Sequence, residues 1–319
     1  MKARHKGKIL ELGSCIGIVA PSTACMDFDF SAGIDLLHKW GYKTKIPSTL
    51  KAHYGYLAGS DEVRANELNE LFADDEVDAI LCFRGGYGAT RILDLLDYQL
   101  IHDHPKLLIG FSDITALHVA IGQRSRLVTI YGPMLKNLSQ KPTLYTRTSF
   151  ERGLQISVPI GAFPLPKGYK LKSMYPGRAF GKLVGGNLSV IASLCGTPYE
   201  LKVDDEKAIL FLEDVGETAY AIDRMLRQLW QNGLLQKVQG IIFGQFTRCN
   251  PTKKKSKYEF TVEEVLQAYA NLAKVPTIYK FPAGHERTNA FLPLGVNSSI
   301  SISGDAVNFF ISESHCKLR

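Results

Sequence analysis

Short apolar runs alternate with helical patterns through the first 130 residues, and that rhythm restricts the fold more than any other feature of the chain. The runs lie at 15–20, 77–83, 107–111 and 127–131, with a weaker one at 42–46, and each reads as a short buried strand. Helical patterns fall between them near 29–40, 60–73, 88–97 and 113–122. In the second of these, Ser60 or Asp61 is a plausible N-cap, and Ala65, Leu68, Leu71 and Phe72 recur at helical spacing. Strands that are apolar throughout, rather than alternating, are covered on both faces. Five β-α repeats of this kind predict an α/β domain with a doubly wound, mostly parallel sheet.

From 142 to 178 the pattern weakens. Pro142, Pro159, Pro164, Pro166 and Pro176 interrupt it, and the stretch reads as an interdomain crossing. Beyond it come strands near 179–184, 208–212, 238–243, 298–303 and 307–311, with helices near 187–195, 218–232 and 261–272. The helix from Thr218 sets Ala219, Ile222, Leu226 and Leu229 on one face. The expected division is therefore a doubly wound domain over 1–141, a crossing over 142–178 and a smaller α+β domain with a mixed sheet over 179–319, which suits a length of 319 residues.

Composition narrows the function classes. Hydrophobic residues at 45% and charged residues at 22% exclude a mostly disordered chain. No apolar run approaches the ~20 residues of a transmembrane helix. The basic N-terminus lacks the apolar stretch of a secretion signal, so a cytoplasmic protein without membrane contacts is expected. A net charge of +7 is modest for this length and does not indicate nucleic acid, for which no recognition module is present. The densest basic run, 253–257, reads as a solvated loop. Six scattered cysteines, with no C-x-x-C and no zinc-type spacing, fit reduced thiols and no metal.

In an open α/β sheet, ligands bind beyond the carboxyl ends of the strands. Two loops there carry unusual residues. Arg84-Gly85-Gly86-Tyr87-Gly88 follows the 77–83 strand, and its glycines permit close backbone approach and N–H groups aimed at an anion. A tight βα turn would need the same glycines, and the run is neither a P-loop nor G-x-G-x-x-G. Gly110-Phe111-Ser112-Asp113-Ile114-Thr115 follows the 107–111 strand. A serine at a strand-to-helix corner is how α/β hydrolases expose a nucleophile, and the next amide can donate to an oxyanion. Ser112 or Asp113 acting as a helix cap is the alternative. A serine nucleophile needs a base. His118 lies six residues into the helix, pointing away from its start, and suits a core or surface role. His285 sits in Gly284-His285-Glu286-Arg287, just after an apolar strand. A carboxylate to hold the imidazole could come from Glu213, at the end of the 208–212 strand, although acids there could equally cap the next helix.

Together these segments resemble the LD-carboxypeptidase family of serine peptidases, which includes murein tetrapeptide carboxypeptidases and microcin-immunity peptidases. The matching stretches are IGIVAPS (16–22), AILCFRGGYGATRILDLLDY (79–98), LIGFSDITALH (108–118), GKLVGGNLSVIASLCGTPYE (181–200), FLEDVGETAYAIDRMLRQL (211–229) and GHERTNAFLPLG (284–295). The resemblance implies a flavodoxin-like first domain and a smaller swivelling second domain, with the site in the cleft between them. It implies Ser112 as nucleophile, His285 as base, Glu213 as the acid orienting it, and the amides of Gly86 and Asp113 as oxyanion hole. Glu286 departs from the small residue many relatives carry there and adds a charge beside the base. No cofactor is implied. The expected partner is a small peptide, a cytoplasmic murein-recycling tetrapeptide losing its terminal D-alanine, and the expected assembly is a homodimer. Arg84 is a candidate to hold the terminal carboxylate, with a salt bridge to Asp94 or Asp97 as the alternative. Two rival readings are a microcin-immunity peptidase, whose aromatic stacking partner would here be Tyr169 or Tyr175 rather than Trp40 or Trp230, and a non-catalytic two-domain ligand-binding protein.

Overall fold

The computed structural model describes residues 4–25, 28–204, 206–249 and 259–318. The basic run at 253–257 lies outside the described residues. In chain order the strands are β1 (Cys15–Val19), β2 (Lys43–Lys45), β3 (Ala79–Cys82), β4 (Leu107–Gly110), β5 (Thr129–Tyr131), β6 (Gly161–Ala162), β7 (Lys172–Tyr175) and β8 (Gly177–Asn187). They continue as β9 (Ala208–Val215), β10 (Gly240–Thr247), β11 (Thr277–Tyr279), β12 (Leu292–Leu294), β13 (Asn297–Ser303) and β14 (Ala306–Ile311). Two compact units form. The first comprises Lys2–Val158, Arg287–Gly295 and Ser314–Arg319, and the second Pro159–Glu286 and Val296–Glu313.

The first unit holds a six-stranded sheet ordered β12-β5-β4-β3-β1-β2. Strands β1 to β5 are parallel in the flavodoxin-like order 2-1-3-4-5. The returning strand β12 closes the β5 edge antiparallel, with Leu292 opposite Tyr131. Every residue of β3, β4 and β5 is buried, as the unbroken apolar runs require. The helix Asp61–Ala73 starts on Ser60, whose hydroxyl accepts the Val63 N–H, and it buries Ala65, Leu68, Leu71 and Phe72.

Two segments differ from the sequence reading. The 88–97 pattern is a 3₁₀ stretch, Ala89–Leu95, and Asp97 then caps a separate helix, Tyr98–Asp103. The Ala89 N–H is taken by the Asp113 carboxylate, and Ala89 and Ile92 are buried at the i, i+3 spacing of a 3₁₀ turn. The stretch 142–178 is structured rather than an irregular crossing. The helix Leu144–Gln155 starts on Thr143, which accepts the Thr146 N–H, and buries Thr146, Phe150, Gly153 and Leu154. These recur at i, i+4, i+7 and i+8, so the helical period was present beneath a polar sequence. Strands β6 and β7 occupy the proline-containing remainder, each at an edge of its sheet, where proline nearby costs least.

The second unit holds an eight-stranded mixed sheet ordered β6-β14-β13-β8-β9-β10-β11-β7. Strands β8 to β11 are parallel and the outer ones antiparallel. Its longest described helix, Ala219–Gln231, is capped by Thr218 and buries Ala221, Ile222, Met225, Leu226 and Leu229. The chain therefore makes two α/β domains. Cys25, Cys82, Cys249 and Cys316 are buried, Cys15 and Cys195 half-buried, and none is in a disulfide. No helix among the described residues is long and apolar enough to cross a membrane.

Candidate active site

Ser112 sits immediately beyond β4 with φ of 64°, left-handed backbone that a residue with a Cβ adopts at a cost of about 1–3 kcal/mol. The tight path from Gly110 through Ser112 into the helix Thr115–Arg124 imposes it. The Ser112 N–H donates to the Tyr131 hydroxyl at 3.2 Å, fixing the corner against β5. Neither Ser112 nor Asp113 caps the helix, so the capping alternative falls away. Gly85 packs directly on the serine, since a Cβ there would lie 2.9 Å from Ser112 Cβ and 3.3 Å from the Asp113 nitrogen. Gly86 has φ of 117°, and a Cβ on it would stand 2.1 Å from Thr23 Oγ1. Thr23 Oγ1 in turn accepts the Tyr87 N–H at 3.0 Å.

The Asp113 side chain holds these loops together. One carboxylate oxygen accepts the Ser22 hydroxyl at 2.6 Å, from the loop after β1, and the Ala89 N–H at 2.8 Å, from the end of the glycine loop. Burial pushes the Asp113 carboxyl upward, opposed by those two hydrogen bonds and by the charge of Arg64. Arg64 was not singled out in the sequence. Its guanidinium donates to the carbonyls of Pro21, Gly59 and Gly88 and to Asp61, bracketing the same loops from below. The available signal was a cation on the apolar face of a helix, four residues before Leu68. His118 is buried, its Nε2 is 2.9 Å from the Gly110 carbonyl, and burial drives its pKa down to about 4. It is a neutral structural ring. Arg84 is half-buried and has no ion pair among the described residues, so the bridge to Asp94 or Asp97 is not formed.

In the second unit Glu213 lies near the end of β9, fully buried, and its Oε2 is 2.7 Å from His285 Nδ1. With a carboxylate as partner, Nδ1 carries the proton. The other Glu213 oxygen accepts from Asn187 Nδ2 at 3.2 Å. Asn187 is opposite Glu213 in the β8–β9 register and caps the helix Leu188–Leu194. It also donates to Asp214 at 3.1 Å. Asp214, the next residue along the strand, accepts the Ser189 N–H at 2.9 Å and is pushed up to about 6 by burial and by the Glu213 charge. Asn187 and Asp214 escaped the sequence reading, although the adjacent pair Glu213-Asp214 marked the strand end. The histidine segment is pinned by β10 and its extension: Gln245 N–H donates to the Ala283 carbonyl at 3.0 Å, and the Glu286 N–H to Gln245 Oε1 at 2.9 Å.

A serine on a strained strand-to-helix corner and a carboxylate-held imidazole are parts that serine hydrolases use. The LD-carboxypeptidase N-terminal domain matches residues 16–132 and the LD-carboxypeptidase C-terminal domain residues 180–300. The chain belongs to the LD-carboxypeptidase family of peptidases. It is 37% identical over 93% of its length to a Bacillus subtilis protein named "Probable murein peptide carboxypeptidase", covering 92% of that protein. Among solved structures, a microcin-immunity (MccF-like) protein from Bacillus anthracis superposes with a TM-score of 0.86 at 28% identity, over 97% of this chain and 99% of that one. A muramoyltetrapeptide carboxypeptidase from Oxalobacter formigenes gives 0.80 at 26% identity, over 94% and 99%.

Proposed function

We propose that this peptidase is a serine carboxypeptidase that hydrolyses the bond between an L-residue and a terminal D-alanine in murein tetrapeptides. Ser112 Oγ attacks the scissile carbonyl while His285 takes its proton through Nε2, and Glu213 stabilises the resulting imidazolium. The oxyanion is received by the amides of Gly86 and Asp113, each donor of this kind contributing about 2.7–4 kcal/mol to the transition state. His285 then gives its proton to the leaving amine, D-alanine departs, and water activated by the same ring hydrolyses the acyl-serine. The observation that carries the serine reading is the left-handed backbone of Ser112 at the end of β4. The murein assignment is supported by the name of the Bacillus subtilis relative.

A second reading, a microcin-immunity type peptidase, is favoured by one observation. Tyr169, one of the two tyrosines that could take the stacking role, is half-buried, and burial together with the charge of Glu286, the residue after His285, raises its hydroxyl. Trp40, by contrast, is stacked on Phe150 in the first unit's core. Incubation with murein tetrapeptides and with an aminoacyl sulfamoyl nucleoside separates the two. D-Alanine release at high kcat/KM supports the murein reading. Cleavage of the nucleoside conjugate alone overturns it, and equal rates on D-Ala and L-Ala epimers would leave the serine chemistry but remove the substrate.

A further inference from the structure

Arg84 follows β3, and Lys136 is tied through its backbone to the residue before it, so the Lys136 ammonium feels the positive charge of Arg84. The Lys136 N–H donates at 3.0 Å to the carbonyl of Phe83, the residue before Arg84. The Lys136 ammonium lies 5.4 Å from the Phe28 ring centroid, and Phe28 and Phe30 meet Phe83 edge-on at 6.0 and 5.7 Å. Both cationic side chains are half-buried, and neither has a hydrogen bond or an ion pair among the described residues. Burial and the charge of Arg84 together pull the Lys136 ammonium below its ordinary range. Phe28, approached by the Lys136 ammonium, and Cys25, which feels the charges of both Arg84 and Lys136, line a cavity of about 610 Å³ together with Phe30, Lys51 and His53. Asp29 also lines it, but that carboxylate is exposed and accepts the Ser31 N–H at 2.9 Å.

Two adjacent, partly desolvated cations repel each other and lose hydration, and an anion bound between them reverses both costs. A guanidinium matches a carboxylate through two parallel N–H bonds, while an ammonium adds a point charge. The location is close to the proposed chemistry, because Arg84 directly precedes Gly85, which packs on Ser112. The aromatic wall and the cavity suit the aliphatic part of a side chain next to the acid.

We propose that Arg84 and Lys136, with this cavity, form a subsite for a carboxylate of the peptide substrate. The proposal rests on the serine-peptidase reading of the same unit. The carboxylate has two possible sources: the C-terminus of the D-residue, or the side chain of a third residue such as diaminopimelate, which lysine lacks.

The test measures binding calorimetrically to the full chain carrying Ser112→Ala, so that nothing is turned over. Three peptides are compared: the tetrapeptide with diaminopimelate third and D-Ala last, its C-terminal amide, and its lysine analogue. Loss of the recognised carboxylate should weaken binding at least tenfold, and whether the amide or the lysine peptide shows that loss identifies the source. Adding Arg84→Gln or Lys136→Gln should weaken the intact peptide by a similar factor and leave the peptide already lacking that carboxylate unchanged. The charge-keeping Lys136→Arg should retain most of the affinity. The substitutions are made singly, so one folded variant is enough to decide. Identical losses on all three peptides, or no loss on any, would overturn the subsite. Failure of the unmodified chain to release D-alanine, or to be labelled at Ser112 by a serine-reactive phosphonate, would overturn the functional reading instead.

Discussion

Replacing Arg64 by methionine should destabilise the first unit by about 3–5 kcal/mol, the loss of a donor at three carbonyls less what relief of desolvation returns. The residue is 1% exposed, and its guanidinium serves the carbonyls of Pro21, Gly59 and Gly88 together with Asp61. Methionine fills nearly the same volume, so the loss is one of hydrogen bonding rather than packing. Asp61 is not orphaned, because Arg91 holds both of its carboxylate oxygens at 2.8–3.0 Å. The three carbonyls lose a charged donor, each at about 1–3 kcal/mol, and relief of guanidinium desolvation returns part of the sum. Urea unfolding followed by circular dichroism reads the change as a lowered midpoint at constant slope. Arg64→Lys should fall between, since one ammonium cannot span three carbonyls on different loops. A loss below about 1 kcal/mol for Arg64→Met would refute the idea that this side chain braces the loops around Ser112.

Ser112→Ala and His285→Ala should each remove nearly all D-alanine release, while Glu213→Ala removes less; a tenth of the parental kcat surviving in Ser112→Ala would rule out serine catalysis. Asp113→Ala, which keeps the backbone amide but frees the loops after β1 and β3, should lower kcat about 10²-fold with KM little changed, as loss of one oxyanion donor does; a rise in KM at constant kcat would contradict that placement. Glu67 is 8% exposed and raised to about 7, chiefly by burial, against an ordinary value of 4.5. Its folded form binds the proton more tightly than the unfolded chain, so stability falls as pH rises from about 4.5 to about 7 and stays reduced above, by about 3 kcal/mol at 1.36 kcal/mol per pKa unit. Glu67→Gln should flatten that slope and stabilise the protein at pH 8, and an unchanged urea midpoint across pH 5–8 in both proteins would disprove it.

The central strands of both sheets were readable because burial on two faces writes itself as an uninterrupted apolar run, and Ser60, Thr218 and Leu68 carried ordinary helix signals. Short edge strands were not. Gly161–Ala162 and Leu292–Leu294 are too brief for any period, and their pairing is with strands far away in the sequence. The helix Leu144–Gln155 was hidden because only four of its twelve residues face inward behind a proline. At the candidate site, residue types were visible and conformations were not. Nothing in Phe-Ser-Asp states a left-handed Ser112, and nothing in Glu-Asp tells which carboxylate meets His285 and which turns to Ser189. Arg64 and Asn187 were invisible because their role lies in whom they touch.

The antiparallel pairing of β12 with β5 joins residues about 160 positions apart, Tyr131 and Leu292. A ribosome adding ~5–20 residues per second needs roughly 8–30 s to deliver the second after the first. Throughout that interval the nascent first sheet has the backbone of β5 exposed along one edge, a template for any other extended chain. Release of the 287–295 segment is therefore a late event in biogenesis, coming just after His285 itself is synthesised. Expression stopped at residue 286 should yield a polypeptide that retains Ser112, Glu213 and His285 yet accumulates in inclusion bodies. Supplying the 287–319 peptide in trans during refolding is the corresponding rescue.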